Sequence, residues 1–227
     1  MVDYLVFTLV APMGSFGGPA GHERRGSLSW PGRSAVLGLI GAALGVRRGD
    51  ADGQARLGAW RVAVSVLSDS HPLRDFHTVQ TVPTANIKRP ATRRDALAAL
   101  KSGDNPVITR RDYRTDCAFG VAIWGGDAPE EVEAALKTPH FTPYLGRKSC
   151  PLSAPMDPRS VRADNVVQAL AQVSLPSWLT GARTRMIASD APLPGGWEEV
   201  LWDDPIDRQR WHFAPRVVHV QAPGDGT

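Results

Sequence analysis

Apolar residues run almost unbroken from Tyr4 to Val10 (YLVFTLV). So short and continuous a run, rich in β-branched and aromatic residues, predicts a strand buried on both faces. It ends in the Gly/Pro-rich loop APMGSFGG, and the polar stretch Gly18 to Ser29, with Glu23-Arg24-Arg25, is expected to be exposed. After Trp30-Pro31-Gly32-Arg33-Ser34 the pattern changes period. Val36, Leu37, Ile40, Ala43 and Leu44 recur at helical spacing, with Pro31 and Ser34 as start signals and Gly45, Arg47 and Arg48 as the stop. Gly38, Gly41 and Gly45 fall on one face of this helix. A helical glycine costs about 1 kcal/mol against alanine, so that face needs a reason; close packing on a sheet is the expectation.

Further strands are predicted at Arg61 to Leu67 and Leu73 to Val79. Thr92-Arg-Arg-Asp95 before ALAAL predicts a small capped helix inside a loop-like insertion. Val107 to Tyr113 and Cys117 to Trp124 read as two strands flanking a turn, so the chain leaves the sheet after Val79 and returns near Ala118. Excursions of that length are functional or disordered. Asp127-Ala-Pro-Glu130 reads as a capping box opening a helix to about Lys137. The later part predicts a helix over Val161 to Val173, strands at Met186 to Ser189, Arg210 to Phe213 and Arg216 to Val220, and a frayed tail from Ala222 to Thr227. The order strand, helix, strand, strand, helix, strand predicts an α+β, ferredoxin-like unit.

Composition narrows the function classes. The 227 residues are 42% hydrophobic and 22% charged, a globular balance with enough chain for one core. There is no apolar run of membrane-spanning length, and the N-terminus shows no basic-then-apolar leader pattern, so neither membrane nor signal peptide is expected. Two cysteines, Cys117 and Cys150, exclude a disulfide framework and an all-cysteine metal cluster; free thiols in a reducing cytoplasm are expected. The histidines are scattered without metal-ligand spacing, so no metal or other cofactor is expected. His77, in a predicted strand, is read as packed and hydrogen-bonded before it is read as a base. Asp203-Asp204 and Glu198-Glu199 are adjacent pairs whose side chains diverge, which reads as solvated surface.

Charge changes the picture more. The net charge is only +3, but Lys88, Arg89, Arg93, Arg94, Lys101, Arg110, Arg111 and Arg114 against three acids put +5 on residues 82–114 and leave −2 on the rest. Such a segment is either a nucleic-acid contact or a solvated charged loop. Three stretches could hold an anion. The loop Gly14 to Gly18 lets a backbone approach closely. Arg33 and Ser34 stand at a helix start, where free N–H groups favour phosphate. Tyr144-Leu-Gly146-Arg147-Lys148-Ser149 combines an aromatic face, a glycine and two cations, or else is an ordinary turn.

The stretches YLVFTLVAPMGSFG, PGRSAVLGLIGAALGV, DFHTV, RRDYRTDCAFGVAIW and TPYLGRKSCPLS, in this order over residues 4–152, resemble the Cas-five family of CRISPR-associated RAMP proteins in its type I-E form. Residues 153–220 match weakly, at FAPRVVHV. The resemblance implies a ferredoxin-like (RRM-like) core over residues 1–152 with a protruding β-hairpin thumb at about 80–116. It implies a C-terminal extension, 153–227, packed on the same core. It also implies a non-catalytic subunit of the Cascade surveillance complex that holds the 5′ handle of the crRNA. The implied partners are the crRNA, the CasC backbone subunit, the CasA large subunit and, indirectly, target DNA. Gly14, Phe16, Gly17, Arg33, Ser34, Tyr144, Gly146, Arg147, Lys148 and Ser149, with Arg110, Arg111 and Arg114 of the basic excursion, become RNA-contact candidates. Gly32 stands where the family has threonine, and Phe16 where it has tryptophan. The alternative is a metal-independent endoribonuclease, as in type I-C relatives, with His77, Tyr113 and Lys88 as candidates. A third reading is a structural bridge whose basic loop binds protein acids.

Overall fold

The computed structural model describes residues 1–20 and 23–222. Its elements are β1 (Val2–Gly14), β2 (Gly17–Ala20), β3 (Arg24–Ser27), α1 (Arg33–Leu44), α2 (Ala51–Gly58), β4 (Arg61–Val66), β5 (Pro72–Val79), α3 (Arg93–Ala98), β6 (Val107–Trp124), α4 (Pro129–Lys137), β7 (Arg159–Ala163), α5 (Val166–Leu170), β8 (Met186–Ser189), β9 (Trp197–Asp207) and β10 (His212–Gln221). The strands form one sheet, whose central part runs β7-β1-β6-β4-β8-β10-β9. Every pairing along that path is antiparallel.

The apolar run of β1 is continuous because both sides of the strand are covered. Leu5, Phe7 and Leu9 pack with Val36, Leu37 and Ile40 of α1 and Val132 and Leu136 of α4. Tyr4 and Val6 pack with Val166, Ala169 and Leu170 of α5. Gly45 ends α1 in the left-handed region, at φ 77°, where glycine carries no steric cost, and the Val46 N–H donates back to the Gly41 carbonyl.

Several elements differ from the sequence expectation. The two strands predicted around a turn are one strand, β6, 18 residues long; Asp116 alone turns left-handed, and pairing to β1 continues on both sides of it at Ala11–Cys117 and Met13–Thr115. The first half of β6 pairs with β5 in a hairpin, from Pro72–Arg114 out to Val79–Val107, so the excursion begins before residue 80. The helix expected over Val161 to Val173 is a strand and a short helix, because Val161 pairs with Tyr4 and the Asn165 side chain caps Gln168 N. Asp127 does not cap α4, whose N-cap is Ala128 with Pro129 next. The α1 glycines face neighbours other than the sheet: a Cβ on Gly41 would meet Leu57 of α2 at 2.8 Å, and one on Gly38 the Arg208 guanidinium at 3.4 Å. Residues beyond 152 interrupt no sheet boundary, since β7 joins β1 and β8 joins β4. The expected frayed tail lies outside the described residues except for Ala222.

The largest departure concerns Asp203. It is 4% exposed, not solvated. Its carboxylate accepts from the Arg33 backbone N–H at 2.7 Å, which caps α1 from 170 residues away. Arg216 donates to both of its oxygens, at 2.7 and 3.1 Å, and to Asp190. The Arg33 guanidinium donates to Asp190 at 2.9 Å, Asp204 at 3.1 Å, the Gly58 carbonyl at 2.7 Å and the Trp60 carbonyl. A buried charge is tolerated only when paired in this way, and removing one partner strands the others. Asp203→Ala is expected to cost about 3 kcal/mol or more of unfolding free energy, seen as a lowered urea midpoint. A loss below about 1 kcal/mol, the scale of an exposed ion pair, would show that the cluster does not hold the C-terminal hairpin.

Candidate nucleic-acid interface

Two glycine-containing segments far apart in sequence are knitted together beside α1. Ser15 N–H donates to the Leu145 carbonyl at 3.1 Å, and Leu145 N–H to the Cys150 carbonyl at 2.9 Å, closing the 144–151 turn. Ser15 Oγ donates to the Asp112 carbonyl at 3.0 Å, tying the same point to β6. Gly146 is at φ 81°, and a Cβ there would lie 1.7 Å from the Ser15 carbonyl oxygen, so only glycine lets the two backbones come this close.

The base of the β5–β6 hairpin meets this junction. The Arg147 guanidinium lies 4.5 Å above the Tyr113 ring, and its Nη1 is buried with no hydrogen-bond partner among the described residues. A guanidinium over an aromatic face with an N–H left unpaired has capacity for a further acceptor. At the hairpin, Asp112 takes Arg74 at 2.7 Å and Arg24 at 3.0 Å. The hydrogen bond from Arg74, with Arg24 adding to it, holds the Asp112 carboxyl below the usual carboxylate range against some desolvation.

A groove of about 1410 Å³ opens between the junction and the C-terminal hairpin. Its lining includes Gly17, Arg25, Ser34, Tyr144, Gly146 and Arg147 from the junction and α1, and Arg48, Trp202, Arg208, Trp211 and Phe213 from the end of α1 and the C-terminal hairpin. Trp202 and Trp211 are 72% and 55% exposed, unusual for side chains of that size. Exposed aromatic faces interleaved with arginine suit a single strand of nucleic acid, which stacks its bases and presents phosphates.

The structure thus brings Gly17, Ser34, Tyr144, Gly146 and Arg147 together, and places the remaining candidates elsewhere. Phe16 is 1% exposed and packs edge-on against Phe119 at 5.3 Å, so it has no face for a base; Gly14 is buried beneath its ring. Arg33 is committed to the Asp190–Asp204 cluster, and Asp203 already fills the helix start that was expected to seat a phosphate. Lys148 and Ser149 are exposed on the turn outside the groove. Arg110, exposed above Phe76, half-buried Arg111, and Arg114, bonded to the Ser70 carbonyl at 3.1 Å, belong to the hairpin. Sequence reading missed Arg48, Trp202, Arg208, Trp211 and Phe213. The one available signal was the density of tryptophan between residues 197 and 211 in a segment with no clear period.

The ribonuclease candidates do not converge. His77 contacts Asp75 and pairs across the hairpin with Thr109, four positions from Tyr113 on β6, which at strand spacing is about 13 Å. Tyr113 is 6% exposed beneath Arg147, and Lys88 is exposed in the segment beyond β5. Among the described residues no group of three or more His, Cys, Asp or Glu is placed to hold a metal, and no helix is long and apolar enough to cross a membrane. Burial pushes the Cys117 thiol up to about 12, with Cys150 nearby adding to the effect, and burial raises Cys150 too.

Gly146→Ala is expected to lower the melting temperature and weaken binding of single-stranded RNA together, since a Cβ forces Ser15 and the 144–151 turn apart. A variant that melts and binds like the native chain would mean that the close approach does not shape the groove.

Comparison with known proteins places these features in a family. The family described as CRISPR-associated protein (Cas_Cas5) matches residues 4–219. The CRISPR system Cascade subunit CasD of Escherichia coli (strain K12) is 32% identical over 213 residues, covering 85% of this chain and 90% of that protein. A chain of a CRISPR RNA-guided surveillance complex is 25% identical with a TM-score of 0.65, over 96% of this chain and 88% of that one. A further crystal structure of a Cas protein, 23% identical with a TM-score of 0.59, shares the fold over 96% of this chain and 94% of its own. With its match running through nearly all of the described sheet, the chain belongs to the CRISPR-associated Cas_Cas5 family.

Proposed function

We propose that this protein is a non-catalytic, crRNA-binding subunit of a Cascade-type surveillance complex, acting in the cytoplasm in antiviral defence. The carrying observation is the groove whose lining combines Tyr144 and Arg147, held by the Ser15–Gly146 approach, with the exposed Trp202 and Trp211. In this reading the single-stranded 5′ handle of the crRNA lies along the groove, with phosphates on arginine and bases on the aromatic faces. The order β7-β1-β6-β4, with α1 and α4 packed on one side, supports a ferredoxin-like, RRM-like core. The β5–β6 hairpin, exposed along β5 and carrying Arg110 and Arg111, is then the thumb. It reaches the CasC backbone subunit and the guide beyond the handle, while another surface meets the CasA large subunit, and target DNA is engaged only through the guide.

The separation of His77 from Tyr113 and the burial of Tyr113 favour this reading over the ribonuclease. Incubating the full-length chain with repeat RNA is expected to leave the RNA intact; specific cleavage abolished by His77→Ala would install the enzyme instead. In the assembled complex, Arg147→Ala is expected to reduce crRNA retention and to flatten the salt dependence of binding by about 0.7 in slope, the amount for one lost phosphate contact on a single strand. Retention and slope both equal to the native values would remove Arg147 and its groove from the RNA path. Arg33→Ala, by contrast, is expected to act on stability, because its guanidinium is bonded inside the protein.

A further inference from the structure

The lining of the groove holds an arginine treated unlike the half-buried Arg33 and Arg216. Arg33 and Arg216 are each pinned by two carboxylates. Arg208, on the turn between β9 and β10, has none among the described residues. Its Nη2 donates to the Ser34 carbonyl at 2.9 Å, and its Nη1 lies against Gly38, where a Cβ would come within 3.4 Å. The glycine face of α1 therefore lets a guanidinium lie on the helix. The carboxylate next to it in sequence, Asp207, is turned away: its Oδ1 accepts from the Gln209 and Arg210 N–H groups at 2.9 and 3.0 Å. The nearby cation makes matters worse. Arg48 follows the end of α1, stacks at 4.3 Å on Trp211, and lines the same groove. Burial lowers the affinity of Arg208 for its proton, and the positive charge of Arg48 lowers it further.

A half-desolvated guanidinium beside a like charge, with fork edges unused and no carboxylate, is a site missing its anion. We propose that Arg48 and Arg208 together clasp one backbone phosphate of single-stranded RNA lying in the groove, so that the C-terminal hairpin contributes a nucleotide subsite. Trp202, exposed in the same groove, presents an open ring face for an adjoining base. This rests on the reading of the groove as an RNA path and extends it to the C-terminal hairpin.

The test uses the assembled complex with its crRNA and compares native protein, Arg48→Gln, the double variant Arg48→Gln/Arg208→Gln, and Arg147→Ala. The double variant is expected to flatten the salt slope of binding by about 0.7, one single-strand phosphate. Arg48→Gln is expected to move it in the same direction; its site is exposed, so it keeps the reading available if loss of Arg208 disturbs folding. Walking a single uncharged methylphosphonate linkage along the handle should find one position that weakens native binding but adds nothing in the double variant. If Arg147→Ala flattens the slope and neither Arg48→Gln nor the double variant does, the clasp is overturned while the RNA path stands. If none of the variants changes the slope, both fall. Loss of a protein subunit with an unchanged RNA slope would overturn the clasp in favour of a protein carboxylate at that site.

Discussion

One buried carboxylate sets how the two ends of the chain meet. A helix start exposes N–H groups and the positive end of its dipole, and an anion there is stabilising. Gly32 offers α1 no side-chain cap. The cap comes from Asp203 on β9, and a Cβ on Gly32 would lie 2.3 Å from that carboxylate oxygen, so the residue that removes the local cap also admits the distant one. Taking Asp203 out of water would be costly alone; the Arg216 guanidinium, donating to both of its oxygens, neutralises it. Hydrophobic burial would bring β9 near α1 in many positions. A carboxylate seated on one N–H and one guanidinium fork accepts few, and the placement of β9 against α1 follows from that choice.

The junction side of the groove is positioned by β6. One end of this strand lies in the core between β1 and β4, and the other forms the hairpin with β5. Between them Tyr113 supports Arg147, and the Asp112 carbonyl accepts from Ser15. The Asp112 side chain holds Arg24 and Arg74, so the hairpin base and the β2–β3 strands share a counter-charge. The root of the hairpin and the junction side of the groove are therefore tied together, and core and groove are joined by covalent continuity along one strand rather than by a linker.

Legibility in the sequence follows this division. The β1 run, the α1 period, β4, β5 and β8 are local patterns of burial, and each stands within a few residues of its expectation. What depends on a distant partner is invisible locally. β9 lacks a clean alternation because one acid of an adjacent pair, Asp203, is turned into the core while Trp202 beside it faces out. α2 was missed because Leu57 is its only buried side chain. Phe16 entered as a contact through the family resemblance and Arg33 through its place at a helix start; packing on Phe119 and pairing with acids more than 150 residues away reassign them. The resemblance supplied the family, while Trp202, Arg208 and Trp211 lay in the part of the chain that matched least.

The basic excursion over residues 82–114 gives a similar lesson about charge. Its net +5 describes where cations sit in the sequence, not which are available. Arg114 is bonded to a backbone carbonyl, and Asp112 is shared by two arginines from outside that segment. Availability is instead written in the guanidinium edges. Among the described residues every nitrogen of Arg33 donates inside the protein, Arg208 uses one, and Arg147 Nη1 and Arg111 Nε are buried without an acceptor. Lysine has no such edges: a point charge on a flexible stem is satisfied by water from any direction. In a chain with 22 arginines and four lysines, filled guanidinium edges mark the arginines that build the fold, and unfilled ones mark those still able to take an anion.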